Sequence, residues 1–149
     1  MRDFQNQDYP HKELTERIIG LAIKIHRALG PGLLESAYQI CLADEMERAA
    51  LQFQREVPLP VNYEGRHLDC GYRLDFVVED AVILELKSVE KIAPIHEAQL
   101  LTYLKLAEKE VGLIINFNSV KLRDGIMRRA MTIPSHSSAS SAHPSRPLR

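Results

Sequence analysis

The chain has no tryptophan, and aromatic residues make up 6% of its 149 positions. A composition so poor in rings argues against an aromatic platform for single-stranded nucleic acid. Cys41 and Cys70 are the only cysteines. Two isolated cysteines make neither a disulfide framework nor a zinc site, and Cys41, in an apolar helical stretch, reads as a small core residue. Neither sign of charge dominates: 19 Lys and Arg oppose 20 Asp and Glu, for a net charge of −1. A strong non-specific nucleic-acid binder carries a basic face, and the whole-molecule charge gives no sign of one. No apolar run reaches transmembrane length. The polar opening Met-Arg-Asp-Phe-Gln-Asn-Gln-Asp has no signal-peptide pattern. The expected setting is therefore cytoplasmic, reducing and away from membranes. Also missing are the G-x-x-x-x-G-K-[ST] and G-x-G-x-x-G loops of nucleotide-binding folds, the serine nucleophile elbow and any internal repeat.

What is present suits one soluble domain. Hydrophobic residues make up 45% of the chain and charged residues 26%, enough for a core without staples. Residues 1–11 are polar and expected to fray. Leu14, Ile18, Leu21, Ala22, Ile25 and Leu29 recur at helical spacing until Gly30-Pro31-Gly32 stops the pattern. A second helix is expected from about Leu33 to Ala50, burying Leu34, Ala37, Tyr38, Cys41, Leu42 and Met46. Residues 52–57 alternate as a half-buried strand does. Pro58 and Pro60 mark a bend, and Glu64-Gly65-Arg66 a turn. His67 to Val78 reads as one strand, bulged at Gly71. Ala81 to Ser88 is nearly continuous apolar chain and predicts a central strand. Pro94 opens a helix to about Lys109 with a core stripe of Leu100, Tyr103, Leu104 and Ala107. Val111 to Phe117 follows as a buried strand, so the helix permits a parallel crossover. A short basic segment, Lys121 to Arg129, closes the domain. Residues 134–149 are rich in Ser, Pro and His and read as a disordered tail.

The chemistry concentrates in Arg73-Leu74-Asp75-Phe76-Val77 and Leu84-Glu85-Leu86-Lys87. Residues two apart on a strand share a face, so Glu85 and Lys87 point together while Leu84 and Leu86 face the opposite way. A tight turn at Glu79-Asp80 lays the strands side by side and brings Asp75 near Glu85. Converging carboxylates repel unless a cation or a proton joins them. A hard divalent ion such as Mg²⁺ accepts one or two carboxylates and keeps several waters. Lys87 beside that ion would orient water and stabilise a phosphate's charge. The competing reading is a structural salt-bridge cluster, but charges on a buried strand are costly unless paired or used.

Asp75 followed by Glu85-Leu86-Lys87 on consecutive strands resembles the core of the PD-(D/E)XK nucleases, with Leu74 in place of the proline of that name. Gly32-Leu33-Leu34-Glu35-Ser36-Ala37-Tyr38 matches G-x-x-E-x-x-Y and resembles the small bacterial GxxExxY proteins placed in that superfamily. Gln99 and Tyr103 match Q-x-x-x-Y on the following helix. The resemblance covers residues 12–131. It implies an α/β, restriction-endonuclease-like core, a mixed central sheet flanked by helices, and a Mg²⁺- or Mn²⁺-dependent nuclease acting on nucleic acid, DNA ahead of RNA. Asp75, Glu85 and the carbonyl of Leu86 would bind the metal, and Glu35 would complete or tune its shell. Lys87 would position the attacking water, and Gln99 with Tyr103 would orient Lys87 or substrate.

Each residue has a plainer competitor. The helix dipole alone stabilises Glu35. Tyr38 suits a core with a hydrogen-bonded hydroxyl. Gln99 and Tyr103 are neighbours on one helical face. His26 reads as a polar flank and His96 as a cleft border, and neither has a partner at zinc-ligand spacing. Lys121, Arg123, Arg128 and Arg129 are the cluster best placed for phosphate contacts. A non-catalytic binding or regulatory domain on the same fold is the alternative function. Whether the chain forms a homodimer is left open.

Overall fold

A computed structural model describes residues 9–133. The expected fraying of the first residues and the disordered tail at 134–149 lie outside the described residues, apart from residues 9–11. Two helices open the fold, α1 (Lys12–Leu29) and α2 (Glu35–Arg48). The strands are β1 (Phe53–Pro58), β2 (Val61–Tyr63), β3 (Arg66–Leu68), β4 (Arg73–Val78) and β5 (Val82–Lys87). Then come α3 (Pro94–Ala107), β6 (Val111–Asn116), a 3-10 turn at Leu122–Gly125 and β7 (Ile126–Ala130).

The main sheet has five strands in the order β1-β4-β5-β6-β7. β5 and β6 are parallel, with Val82 opposite Val111 and Lys87 opposite Asn116. The other neighbours are antiparallel. The sheet is therefore mixed, and α3 makes the crossover that the sequence predicts. One face buries Ile18, Ala22, Tyr38, Leu42 and Met46 of α1 and α2 against Phe76, Leu84, Leu86 and Leu113. The other buries Leu100, Tyr103 and Leu104 of α3 against Val77, Ile83 and Ile114. Strand alternation assigns these faces: Leu84 and Leu86 go to the first, so Glu85 and Lys87 fall on the α3 side.

Four expectations change. The stretch 67–78 is not one bulged strand. It breaks at Gly71 (φ 82°), and among the described residues β3 pairs with β2 alone, in a separate two-stranded ribbon. The basic segment 121–129 contains a further sheet strand, β7, whose Arg128 and Arg129 pair with Glu16 and Glu97. Leu34 is not core: it precedes α2 and is 77% exposed. His26 is not a flank either. It is buried, and its Nε2 lies 2.7 Å from the carbonyl oxygen of Ser119.

Candidate active site

The β4–β5 ladder runs Val78–Val82, Val77–Ile83, Phe76–Leu84 and ends there. One step on, where Asp75 and Glu85 would pair, the side chains take over from the backbone. Glu85 Oε2 accepts the N–H of Asp75 at 3.1 Å. Asp75 Oδ2 accepts the N–H of Leu86 at 2.8 Å. These bonds satisfy backbone donors that would otherwise be buried without partners, and they hold both carboxyl groups at the point where the strands part. One oxygen of each carboxylate is used in this way, leaving Oδ1 of Asp75 and Oε1 of Glu85 for another partner.

Electrostatics mark the place. Burial, and then the charge of Asp75, push the Glu85 carboxyl up to about 8. Burial also raises Asp75; the Leu86 N–H opposes that rise, the charge of Glu56 adds to it, and Lys87 opposes it. Lys87 is half-buried on the same face as Glu85. It lowers both acids through space, yet among the described residues it forms no ion pair. Lys87 faces the carboxylates without neutralising them.

The segment Gly32–Tyr38 ties α2 to the end of β5. Gly32 has φ 105°, a conformation that side chains resist. Glu35 Oε2 accepts the N–H of Ser88 at 3.2 Å, and Ser88 Oγ donates to the carbonyl of Leu33 at 2.6 Å. The Tyr38 hydroxyl donates to the carbonyl of Gly30 and accepts from the N–H of Leu33, while its ring stacks on Phe117 at 4.3 Å. Tyr38 is thus a fully buried brace. Glu35 bonds to the strand end, and its charge is the smallest of the named influences on Asp75 and Glu85. Across the sheet, Asn116 is 2% exposed. Its Nδ2 donates to the carbonyl of Val89, and its Oδ1 accepts the N–H groups of Val89 and Asn118. The chain just beyond Lys87 is therefore held from both sides.

A profile of the PD-(D/E)XK nuclease superfamily matches residues 12–129. The chain belongs to this superfamily. No curated protein and no solved structure gives a match. Asp75, Glu85 and Lys87 all lie within the matched residues. Among the described residues no helix is long and apolar enough to cross a membrane, and no three His, Cys, Asp or Glu side chains gather closely enough to hold a metal by themselves. The donor set that remains is two carboxylates with one open oxygen each. Such hard donors, with like charges held together, fit a divalent ion that keeps much of its own water.

The other expected residues are more dispersed. Tyr103 is buried on α3, and its phenol is raised by burial and then by the charge of Glu85, so it lies within electrostatic reach of the acids. Gln99 is half-buried one turn earlier, with no hydrogen bond among the described residues. His96 Nδ1 accepts the N–H of Ala93 and caps α3. Lys121 and Arg123 are exposed and follow the end of β6 that lies beside Lys87. Arg128 and Arg129 run back along β7, where Arg128 Nη2 lies 2.9 Å from Glu16 and Arg129 Nε 2.7 Å from Glu97.

Sequence reading passes over Glu56 and Tyr72. In β1, Arg55 pairs with Phe76 and Val57 with Leu74, so Glu56 stands across from Asp75 without a backbone pair. Its φ is 50°, the one non-glycine left-handed residue inside a strand among the described residues. A break in alternation leaves no mark on composition, although an acid in β1 opposite a site acid could have been found by aligning the strands.

Proposed function

We propose that this protein is a Mg²⁺- or Mn²⁺-dependent phosphodiesterase that hydrolyses nucleic-acid backbone phosphates, DNA ahead of RNA, and that it belongs to the GxxExxY branch of its superfamily. The observation that carries this reading is Lys87. It shares a face with two carboxylates that burial raises, Glu85 further by the charge of Asp75 and Asp75 further by that of Glu56, and among the described residues it forms no ion pair. A structural salt-bridge cluster would close the pair.

In this reading Asp75 and Glu85 hold the ion through their open oxygens, with the Leu86 carbonyl as a further donor. An ion held there would supply Lewis-acid polarisation of the phosphate and lower the pKa of its water. Lys87 would orient the attacking water and stabilise the charge that develops on the phosphate. Glu35 and Asn116 position Lys87 by fixing Ser88 and Val89, and Glu35 tunes the shell through its charge. Gln99 and Tyr103 line the α3 side and orient substrate. A cleft of about 580 Å³ between Gly32–Ser36, Ser88 and Asn118 gives a backbone room beside the strand end. Lys121 and Arg123 are the nearest candidates for flanking phosphates, with Arg128 and Arg129 contributing once their acidic partners release them.

A binding or regulatory domain without turnover is the second reading. It is favoured by the acidic partners that Arg128 and Arg129 already have and by the net charge of −1. Incubation with Mg²⁺ or Mn²⁺ on single- and double-stranded DNA and RNA separates the two. Cleavage by the wild type and none by Lys87→Ala supports the enzyme. Metal-independent binding with no cleavage supports the regulatory domain.

A further inference from the structure

Tyr72 lies three residues before Asp75, at the root of the β2–β3 ribbon, and the residue is 44% exposed. Its backbone is fixed, since its carbonyl accepts the N–H of Leu59 at 3.0 Å and the Arg73 guanidinium at 3.1 Å. Its ring centroid is 6.0 Å from that of Tyr103, with the planes inclined at 60°. Tyr103 in turn packs on the sheet face that Glu85 and Lys87 share, within reach of the charges of Glu85 and Asp75. A tilted contact engages one edge or one face of each ring. The exposure of Tyr72 leaves the rest of its ring open, on the α3 side that Glu85 and Lys87 also face. Tyr72 is thus supported on one side by Tyr103 and open to solvent over much of its surface.

Resting on the nuclease reading above, we propose that Tyr72 is a base-stacking residue at the mouth of the Asp75–Glu85 site, and that the preferred substrate presents an unpaired nucleotide there. A ring can stack on a nucleobase only when that base is not already stacked in a duplex, so the geometry selects single strands or frayed ends. Every base has a π-face, which gives affinity without sequence preference. Arg73 beside it adds a cation near the phosphate backbone. The scarcity of aromatic residues argues against an extended platform; it does not bear on one ring placed at the site.

The test uses the full chain in a Lys87→Ala background, so that cleavage does not consume the probe. Anisotropy of a labelled single-stranded oligonucleotide and a labelled blunt duplex is measured for Tyr72, Tyr72→Phe and Tyr72→Leu. Phe keeps the ring and Leu keeps apolar bulk without π-stacking. The expected result is about tenfold weaker single-strand binding by Tyr72→Leu, Tyr72→Phe within about twofold of the parent, and duplex binding unchanged. Equal affinity of the Leu and Phe variants, or an equal loss on both probes, overturns the proposal. If the Tyr72 parent binds neither probe, the nucleic-acid reading itself fails, and this inference with it. Thermal melts accompany each variant. If Tyr72→Leu melts early, the Phe variant and a Tyr72→His variant, which also retains a stacking ring, must both keep single-strand binding for the proposal to stand.

Discussion

Asp75 and Glu85 face each other at the first position where β4 and β5 stop pairing, and the Glu85 carboxylate replaces the missing ladder bond by accepting the Asp75 N–H at 3.1 Å. The same two residues do structural and electrostatic work. They satisfy the backbone at the fork, and they hold a buried and a half-buried carboxyl together at a cost in repulsion.

That cost has a sign with pH. Glu85 is raised from an ordinary 4.5 to about 8, chiefly by burial, and Asp75 is raised as well. Between the ordinary and the raised values the folded state binds more protons than the unfolded one, so stability falls as pH rises through that window. The metal-free protein is expected to be more stable at pH 5 than at pH 8. The slope contributed by Glu85 is at most about 1.4 kcal/mol per pH unit. Asp80 and Glu97 are lowered by Lys109 and Arg129 and therefore act below this window. Glu85→Gln, whose amide oxygen can still accept the Asp75 N–H, is expected to flatten the profile. Urea midpoints at four pH values check it, and an unchanged slope in the variant counts against the assignment.

Metal should reverse the balance. An ion that binds only the folded state stabilises it by roughly 2.7 kcal/mol at a hundredfold excess over Kd. Asp75→Asn keeps an oxygen for the Leu86 N–H but removes one charge. It is expected to lose the Mn²⁺-dependent rise in Tm and to melt no lower than wild type in chelator. A salt-bridge cluster gives the opposite result, since Lys87 would lose a partner and the variant would be weaker with or without metal. Four melts, two proteins with and without Mn²⁺, decide between them.

The parts of this site that were legible in the sequence are those set by strand period. Glu85 and Lys87 had to share a face, Leu84 and Leu86 the other, and Pro94 opens the crossover helix as expected. What was not legible depends on partners far along the chain. β7 was hidden because Arg128 and Arg129 look like a solvated basic run until Glu16 and Glu97, 112 and 32 residues away, neutralise them. The separation of β3 from β4 turns on one backbone angle at Gly71. His26 reads as polar until Ser119 supplies its bond. The carboxylate-to-backbone bonds at the fork follow from where a ladder ends, which periodicity does not encode.

Gly125 ties the basic turn to the site. A Cβ there would lie 2.6 Å from the carbonyl oxygen of Asn116 and 2.1 Å from Ser119 Oγ. The Ser119 hydroxyl can rotate, but the Asn116 backbone is fixed in β6 and its side chain anchors Val89. Gly125→Ala is expected to destabilise the fold by about 1–3 kcal/mol. If the protein is a nuclease, the variant is also expected to lose turnover more than metal affinity, because Lys87 is displaced while both carboxylates remain. Denaturant midpoints and Mn²⁺ titration measure these two effects separately. A variant as stable as wild type would show that the turn yields freely.

Glu56 combines strain and charge. Its φ of 50° puts a Cβ where L-residues resist it, at about 1–2 kcal/mol. Its carboxylate accepts from Gln39 Nε2 at 3.1 Å, and its charge is first among those that raise Asp75. Glycine tolerates this backbone and alanine does not. Both substitutions remove the charge and the exposed bond to Gln39, so those losses cancel between them. Glu56→Gly is therefore expected to be more stable than Glu56→Ala by about 1 kcal/mol, the reverse of their usual order in a strand. The loss of charge makes a separate prediction. Both variants should bind Mn²⁺ more weakly than wild type by a similar factor, since a carboxylate opposite Asp75 adds attraction for a cation whatever the backbone strain. Urea midpoints give the first comparison and calorimetric Mn²⁺ titration the second. If alanine proves the more stable variant, the strain is not real in solution. If neither variant changes the Mn²⁺ affinity, the charge of Glu56 does not reach the ion, and its influence stops at Asp75.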